Sequence, residues 1–164
     1  MSHHIRPMEE KDWERVSDIY LQGIETNFAT FQTDIPTYET WDHSHLKEFR
    51  YVVESNNRVL GWVALSQISS RCVYKGVAEV SIYIDRASQN QGYGKLLLNH
   101  ICNYSEQNDI WTLQSGIMQN NITSIKLHES CGFRMVGYRE KIAKDRFGEW
   151  RNTVLMERRS KVYI

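Results

Sequence analysis

The chain has 164 residues, and its 20 Lys and Arg balance 20 Asp and Glu to a formal net charge of zero; the length predicts one domain over 1–164, and the charge balance leaves no surplus for gripping a nucleic acid by its phosphates. Hydrophobic residues at 41% and charged ones at 24% are far from the composition of a disordered chain. No apolar run approaches the roughly 20 residues of a membrane helix, and the Met-Ser-His-His-Ile-Arg start lacks the layout of a secretion signal, so a cytoplasmic location without a membrane partner is expected.

In chain order, His4-Ile5-Arg6 reads as a first strand ended by Pro7, and Glu9 to Gln22 as a helix with Trp13, Val16 and Tyr20 at helical spacing. Asn27 to Thr40 has no clean period and reads as a loop, followed by a short helix near Trp41–Phe49. The runs Tyr51–Glu54 and Val59–Leu65 flank Ser55-Asn56-Asn57-Arg58, the grammar of a hairpin. Val77 to Ile84 alternates strictly, with Ala78, Val80, Ile82 and Ile84 on one face and Glu79, Ser81 and Tyr83 on the other. Then come a helix over Gly92–Asn108, a strand over Trp111–Ile117, a helix over Asn121–Cys131, and two strands, Arg134–Lys141 and Trp150–Glu157, around Asp145-Arg146-Phe147-Gly148. This order predicts an α/β fold, a mixed sheet of about seven strands flanked by about four helices on both faces. Cys72, Cys102 and Cys131 form no Cys-x-x-Cys pair and read as reduced packing thiols, so neither a disulfide frame nor a metal site is expected.

The segment from Ile82 through Gln89-Asn90-Gln91-Gly92-Tyr93-Gly94-Lys95 runs from a strand through a polar turn into a helix. Such a turn exposes backbone N–H groups at the positive end of a helix dipole, which suits an anion. A Walker loop ending at Gly94-Lys95 needs glycine at 89 and Ser or Thr at 96, where Gln89 and Leu96 stand. A dinucleotide fingerprint starting at Gly92 needs glycine at 97, where Leu97 stands. What remains, Gln89-x-x-Gly92-x-Gly94, resembles the pyrophosphate turn of the GNAT superfamily of N-acetyltransferases. A second match, Asn121-x-x-Ser124-x-x-Leu127-His128-Glu129-x-Cys131-Gly132-Phe133, is similar to that superfamily's later helix. Ser69 to Ile84, His128-Glu129 and Lys144–Trp150 resemble its phosphinothricin and methionine sulfoximine acetyltransferase branch.

The resemblance implies a GNAT-like acyl-CoA N-acyltransferase fold and direct transfer of an acetyl group from acetyl-CoA, the co-substrate, to the primary amine of a small amino acid or analogue, with no metal. The backbone of Ile82, Tyr83 and Ile84 is then expected to pair with the pantetheine arm, Asn90, Gln91, Gly92, Tyr93, Gly94 and Lys95 to hold the pyrophosphate, and Asn121 and Ser124 to contact the cofactor further along. A protonated amine must lose a proton before attack, and Glu79 is the first candidate base. His128 stands where many superfamily members carry a tyrosine that protonates the leaving thiolate, so acid to the thiolate and relay with Glu79 both stay open. Arg71, Tyr74 and Lys75 are expected at the lip of the acceptor site, with Arg71 able to hold a carboxylate or phosphinate; Phe31 and Tyr83 supply an apolar wall. A homodimer is expected from the resemblance around residues 147–150. The alternatives are a GNAT enzyme acting on a peptide or protein N-terminus and a non-catalytic acyl-CoA sensor.

Overall fold

A computed structural model describes residues 2–163. Seven strands form one sheet: β1 (His3–Pro7), β2 (Arg50–Ser55), β3 (Arg58–Gln67), β4 (Val77–Ile84), β5 (Thr112–Met118), β6 (Arg134–Lys144) and β7 (Trp150–Arg159). Four helices accompany it: α1 (Trp13–Glu25), α2 (Tyr38–Ser44), α3 (Tyr93–Glu106) and α4 (Ile122–Ser130). The spatial order is β1-β2-β3-β4-β5-β7-β6, and β4 with β5 is the parallel pair among antiparallel neighbours. The predicted mixed sheet of about seven strands with about four helices is the observed architecture.

Period-2 alternation sends the strand side chains into two cores, one on each face. Val63 and Leu65 of β3, with Ala78 and Val80 of β4, pack with Leu97, Leu98 and Ile101 of α3. Trp62 and Ala64 face the other way, onto Val16 and Ile19 of α1 and Trp41 of α2. Each fully buried aliphatic side chain contributes about 1.5–3 kcal/mol, so this two-sided burial fixes the β2–β4 region firmly. The register Trp62↔Tyr83, Ala64↔Ser81 and Ser66↔Glu79 sets the polar face of β4 on the α1 side.

Several boundaries differ from the sequence expectation. The helix expected at 9–22 opens as a 3₁₀ turn, Glu10–Asp12, and α1 proper runs on to Glu25. There Asp12 accepts from the Glu9 N–H at 2.8 Å and from Arg6, which ties the helix start to β1. The helix expected at 41–49 lies instead at Tyr38–Ser44, because the Thr37 side chain caps it by accepting from the Thr40 N–H at 3.2 Å. β6 extends to Lys144, past the predicted end at Lys141, by absorbing a bulge between Arg139 and Ala143. No helix among the described residues is long and apolar enough to cross a membrane.

Candidate active site

β4 pairs with β5 at Val77↔Thr112, Ala78↔Leu113 and Glu79↔Gln114 and no further, although β4 continues to Ile84 and β5 to Met118. On its other edge β4 stays paired with β3 out to Ile84. Beyond Glu79 the two strands diverge, and the backbone groups along that edge of Val80–Ile84 have no neighbouring strand among the described residues. Backbone N–H and C=O groups placed so need partners from solvent or from a ligand. The divergence opens a cavity of about 1030 Å³, at the upper end of the range for small-molecule sites.

Glu79 stands at the fork, half-buried, and lines this cavity. Burial pushes its carboxyl above the usual carboxylate range, partly offset by the Gly116 backbone N–H within hydrogen-bonding reach and by the charge of Arg139. A carboxylate so placed is a stronger proton acceptor than an exposed one.

α3 enters through Gly92, whose φ of +87° is left-handed and which brings no side chain to cap the helix. The first-turn N–H groups of Tyr93, Gly94 and Lys95 therefore have no intrahelical or side-chain acceptor among the described residues, and Asn90, at φ +61°, adds a second left-handed turn. Gly94 has a separate reason to be glycine: a Cβ there would come 3.2 Å from Leu127 Cδ2, so it lets α3 and α4 approach. Asp85 anchors the turn's beginning: Arg15 of α1 forms an ion pair with its carboxylate at 2.9 Å, and Gln22 Nε2 donates to it at 2.9 Å. Gln22 also accepts from the Arg86 N–H at 2.7 Å.

On α4, Asn121 is the N-cap and accepts from the Ser124 N–H at 3.3 Å. His128 is 1% exposed, and its Nδ1 lies 2.7 Å from the Ser124 carbonyl oxygen. Because a carbonyl can only accept, Nδ1 carries the proton and Nε2 holds a lone pair. That Nε2 is buried without a hydrogen-bond partner among the described residues, in a side chain that lines the cavity. Burial pushes the imidazole below its ordinary pKa, with the Ser124 carbonyl partly opposing, so the ring is neutral at pH 7. The helix ends in a Schellman motif: the Phe133 N–H donates to His128 O at 3.0 Å and the Gly132 N–H to Glu129 O at 3.1 Å.

Ile82, Tyr83, Ile84, Asn90, Gly92, Tyr93, Gly94, Lys95, Asn121, Ser124, Phe31, Glu79 and His128 thus come together around one cavity. Gln91 is not in its wall; it points back, with Nε2 3.5 Å from Ala87 O. Arg71, Tyr74 and Lys75 are also outside the wall, on an exposed 3₁₀ turn where the Arg71 guanidinium covers the Tyr74 ring at 5.7 Å.

Apart from Phe31, the sequence reading missed the roof, and it missed the far wall. Thr26 and Phe28 to Gln32, after α1, line the cavity. The roof is tied by Asn27 Nδ2, which donates to Asp145 at 3.0 Å. Ser115 to Met118 of β5 forms the opposite wall. Its signal was the β4-α3-β5 order, since ligands in parallel pairs sit beyond the carboxyl ends of the strands.

Comparison with known proteins agrees with this geometry. The acetyltransferase (GNAT) domain family matches residues 5–155. YwnH of Bacillus subtilis (strain 168), provisionally named a phosphinothricin acetyltransferase, is 33% identical over 145 residues, 85% of this chain and 89% of its own length. The L-methionine sulfoximine/L-methionine sulfone acetyltransferase of Salmonella typhimurium is 27% identical over 106 residues, 65% of this chain and 61% of that protein. A phosphinothricin acetyltransferase from Sinorhizobium meliloti, solved in complex with AcCoA, superposes with a TM-score of 0.85 at 22% identity, over 97% of this chain and 89% of that one. The split sheet, the open helix N-terminus and the family match over 5–155 place the chain in the GNAT acetyltransferase family.

Proposed function

We propose that this chain transfers an acetyl group from acetyl-CoA to the primary amine of a small amino acid or analogue, of the phosphinothricin or methionine sulfoximine kind, by direct attack. The observation that carries the reading is the parting of β4 and β5 immediately after Glu79, which gathers a carboxylate, an unpaired strand edge and the open end of α3 around one cavity. An acyl-CoA molecule fits the groups present. Its pantetheine arm suits the free edge at Ile82–Ile84 as an added strand, and its diphosphate suits the amides of Asn90–Lys95 with the Lys95 ammonium. Asn121 and Ser124 stand further along the same wall.

The chemistry is apportioned among the chain's own groups. The acceptor ammonium gives one proton to the Glu79 carboxylate; its freed lone pair attacks the acetyl carbonyl, the new N–C bond forms and the S–C bond breaks. The nitrogen then sheds a second proton and the departing thiolate takes one up. His128 enters as a proton acceptor at Nε2, the nitrogen left bare by the bond from Nδ1 to Ser124 O, and once protonated it can supply the thiolate. Phe31 and Tyr83 form the apolar side of the acceptor space.

In this reading the protein acts as a homodimer in the cytoplasm. Its exposed apolar side chains include Val136, Tyr138, Ile142, Phe147 and Trp150 on the outer β6–β7 ribbon, a patch that suits a second copy. The three free thiols suit a reducing compartment. The test is thiol release from acetyl-CoA across a panel of free amino acids, carboxylate-free amines and short peptides. Turnover with small amino acids is expected; turnover with peptides alone, or binding of acetyl-CoA with no turnover on any amine, overturns the reading.

A further inference from the structure

We infer that Arg139 is the carboxylate anchor of the acceptor site, an inference that rests on the amino-acid reading above. Strand register carries the geometry. The pairs Gly116↔Leu155↔Gly137 form one row across β5, β7 and β6, and Met118↔Thr153↔Arg139 form the next. Glu79 pairs with Gln114, two residues from Gly116, so Glu79, Gly116, Leu155, Gly137, Thr153 and Arg139 all project from the same sheet face. Among the described residues no helix core covers this half of the face, since α1 and α2 pack on β2, β3 and β4.

Glycines on either side of Leu155 leave room on the floor between Glu79 and Arg139. A Cβ built on Gly137 would meet nothing within 4 Å, and one on Gly116 would meet only Glu79 Oε1, at 3.8 Å. Neighbouring strands are about 4.8 Å apart, so β6 runs about 10 Å from β5, within the reach of an arginine side chain folded over Leu155 toward a substrate on the floor. The charges on this face are also unevenly committed. Arg134 is paired with Glu157 at 2.8 Å and Arg151 with Asp145 at 2.7 Å. Arg139 is exposed and itself outside the cavity wall, but it pairs with Thr153, which lines that wall; its side chain has no hydrogen bond or ion pair among the described residues, and the Glu79 carboxylate has no cationic partner in contact. An unpaired carboxylate and an unpaired guanidinium across a flat floor match the ammonium and carboxylate of a zwitterionic amino acid. The fork of the guanidinium suits that carboxylate with two parallel bonds.

The test compares L-methionine sulfone with its decarboxylated amine, as acceptors for the wild type and for Arg139→Ala, Arg139→Lys, Arg71→Ala and Arg134→Ala. Arg139→Ala should raise KM for the amino acid about 10–100-fold and leave KM for the amine within about threefold. Arg139→Lys should recover part of the loss, and Arg134→Ala should change neither substrate. Equal effects of Arg139→Ala on both acceptors, no effect on either, or a selective loss in Arg71→Ala instead, would overturn the anchor while leaving the acetyltransferase reading standing. A wild type that binds acetyl-CoA yet acetylates neither compound would bring down that reading and the anchor with it.

Discussion

The Phe133 ring meets the His128 imidazole edge to face, with centroids 4.9 Å apart and planes at 81°. The same two residues are joined by the Schellman bond from Phe133 N–H to His128 O, so the helix terminator and the wall of the site are one construction. Gly132 makes the reversal possible at φ +89°. Gly132→Ala should cost about 1–2 kcal/mol through backbone strain, although its new methyl meets only Arg158, at an ordinary 3.5 Å. Denaturant melts of the two proteins would measure this.

His128 should be found by nitrogen-15 NMR with Nδ1 protonated and Nε2 bare at neutral pH, titrating below the ordinary 6.5. The sign for stability follows. As pH falls through 6.5 the unfolded chain takes the proton first, so the folded protein loses stability until the depressed folded-state value is passed. His128→Gln should flatten that part of the stability profile.

Glu79→Gln should lower kcat/KM about 10²–10³-fold at neutral pH while acetyl-CoA binding, followed by calorimetry, stays at the wild-type level. Because burial raises the carboxyl, the acid limb of the wild-type rate profile should have its midpoint above 4.5, with activity climbing as pH increases through it. The variant should lack that limb.

Gly23 lies inside α1, where Ala ordinarily stabilises by about 1 kcal/mol. Here a Cβ would fall 2.6 Å from both Cδ1 and Cε1 of Tyr83, whose ring stacks on Trp62 at 5.1 Å and touches Tyr20 at 5.0 Å. Gly23→Ala should therefore invert the usual sign and lower Tm. It should also raise KM for the acceptor, because the displaced ring forms part of the cavity wall.

Asp145 accepts from the N–H groups of Phe147 and Glu149, from Arg151 and from Asn27. Burial opposes its ionisation, yet Arg151 and these amides hold it down at about 2, below the ordinary 3.8. Its contribution is complete above pH 3.8 and is lost as pH falls toward about 2. Asp145→Asn should remove that acid-sensitive part and raise hydrogen exchange in residues 26–32, the roof that Asn27 ties down.

The strands and the phosphate-type turn were legible because each rests on a local rule. The alternation at Val77–Ile84 separated Glu79 from the aliphatic face, and Gly92 with Gly94 marked the helix entry. What escaped depends on contacts remote in sequence. The roof at 26–32 has no period, and Asn27 ties it to Asp145, 118 residues away. The far wall at Ser115–Met118 required knowing where β4 and β5 separate. Arg139 could be set opposite Thr153 only after the bulge between Met135 and Gly137 was located, since a one-residue bulge flips every later side chain to the other face. Arg71 looked suitable by type, but its turn holds it against Tyr74 and away from the cavity.

The separation after Glu79 divides the sheet into two leaves, β1–β4 and β5–β7–β6, stitched along a seam of three residue pairs. A molecule bonded along both lips of that seam completes the sheet as well as occupying it. Its binding energy is therefore added directly to the cohesion of the fold, and the melting temperature rises with the logarithm of its concentration above the dissociation constant.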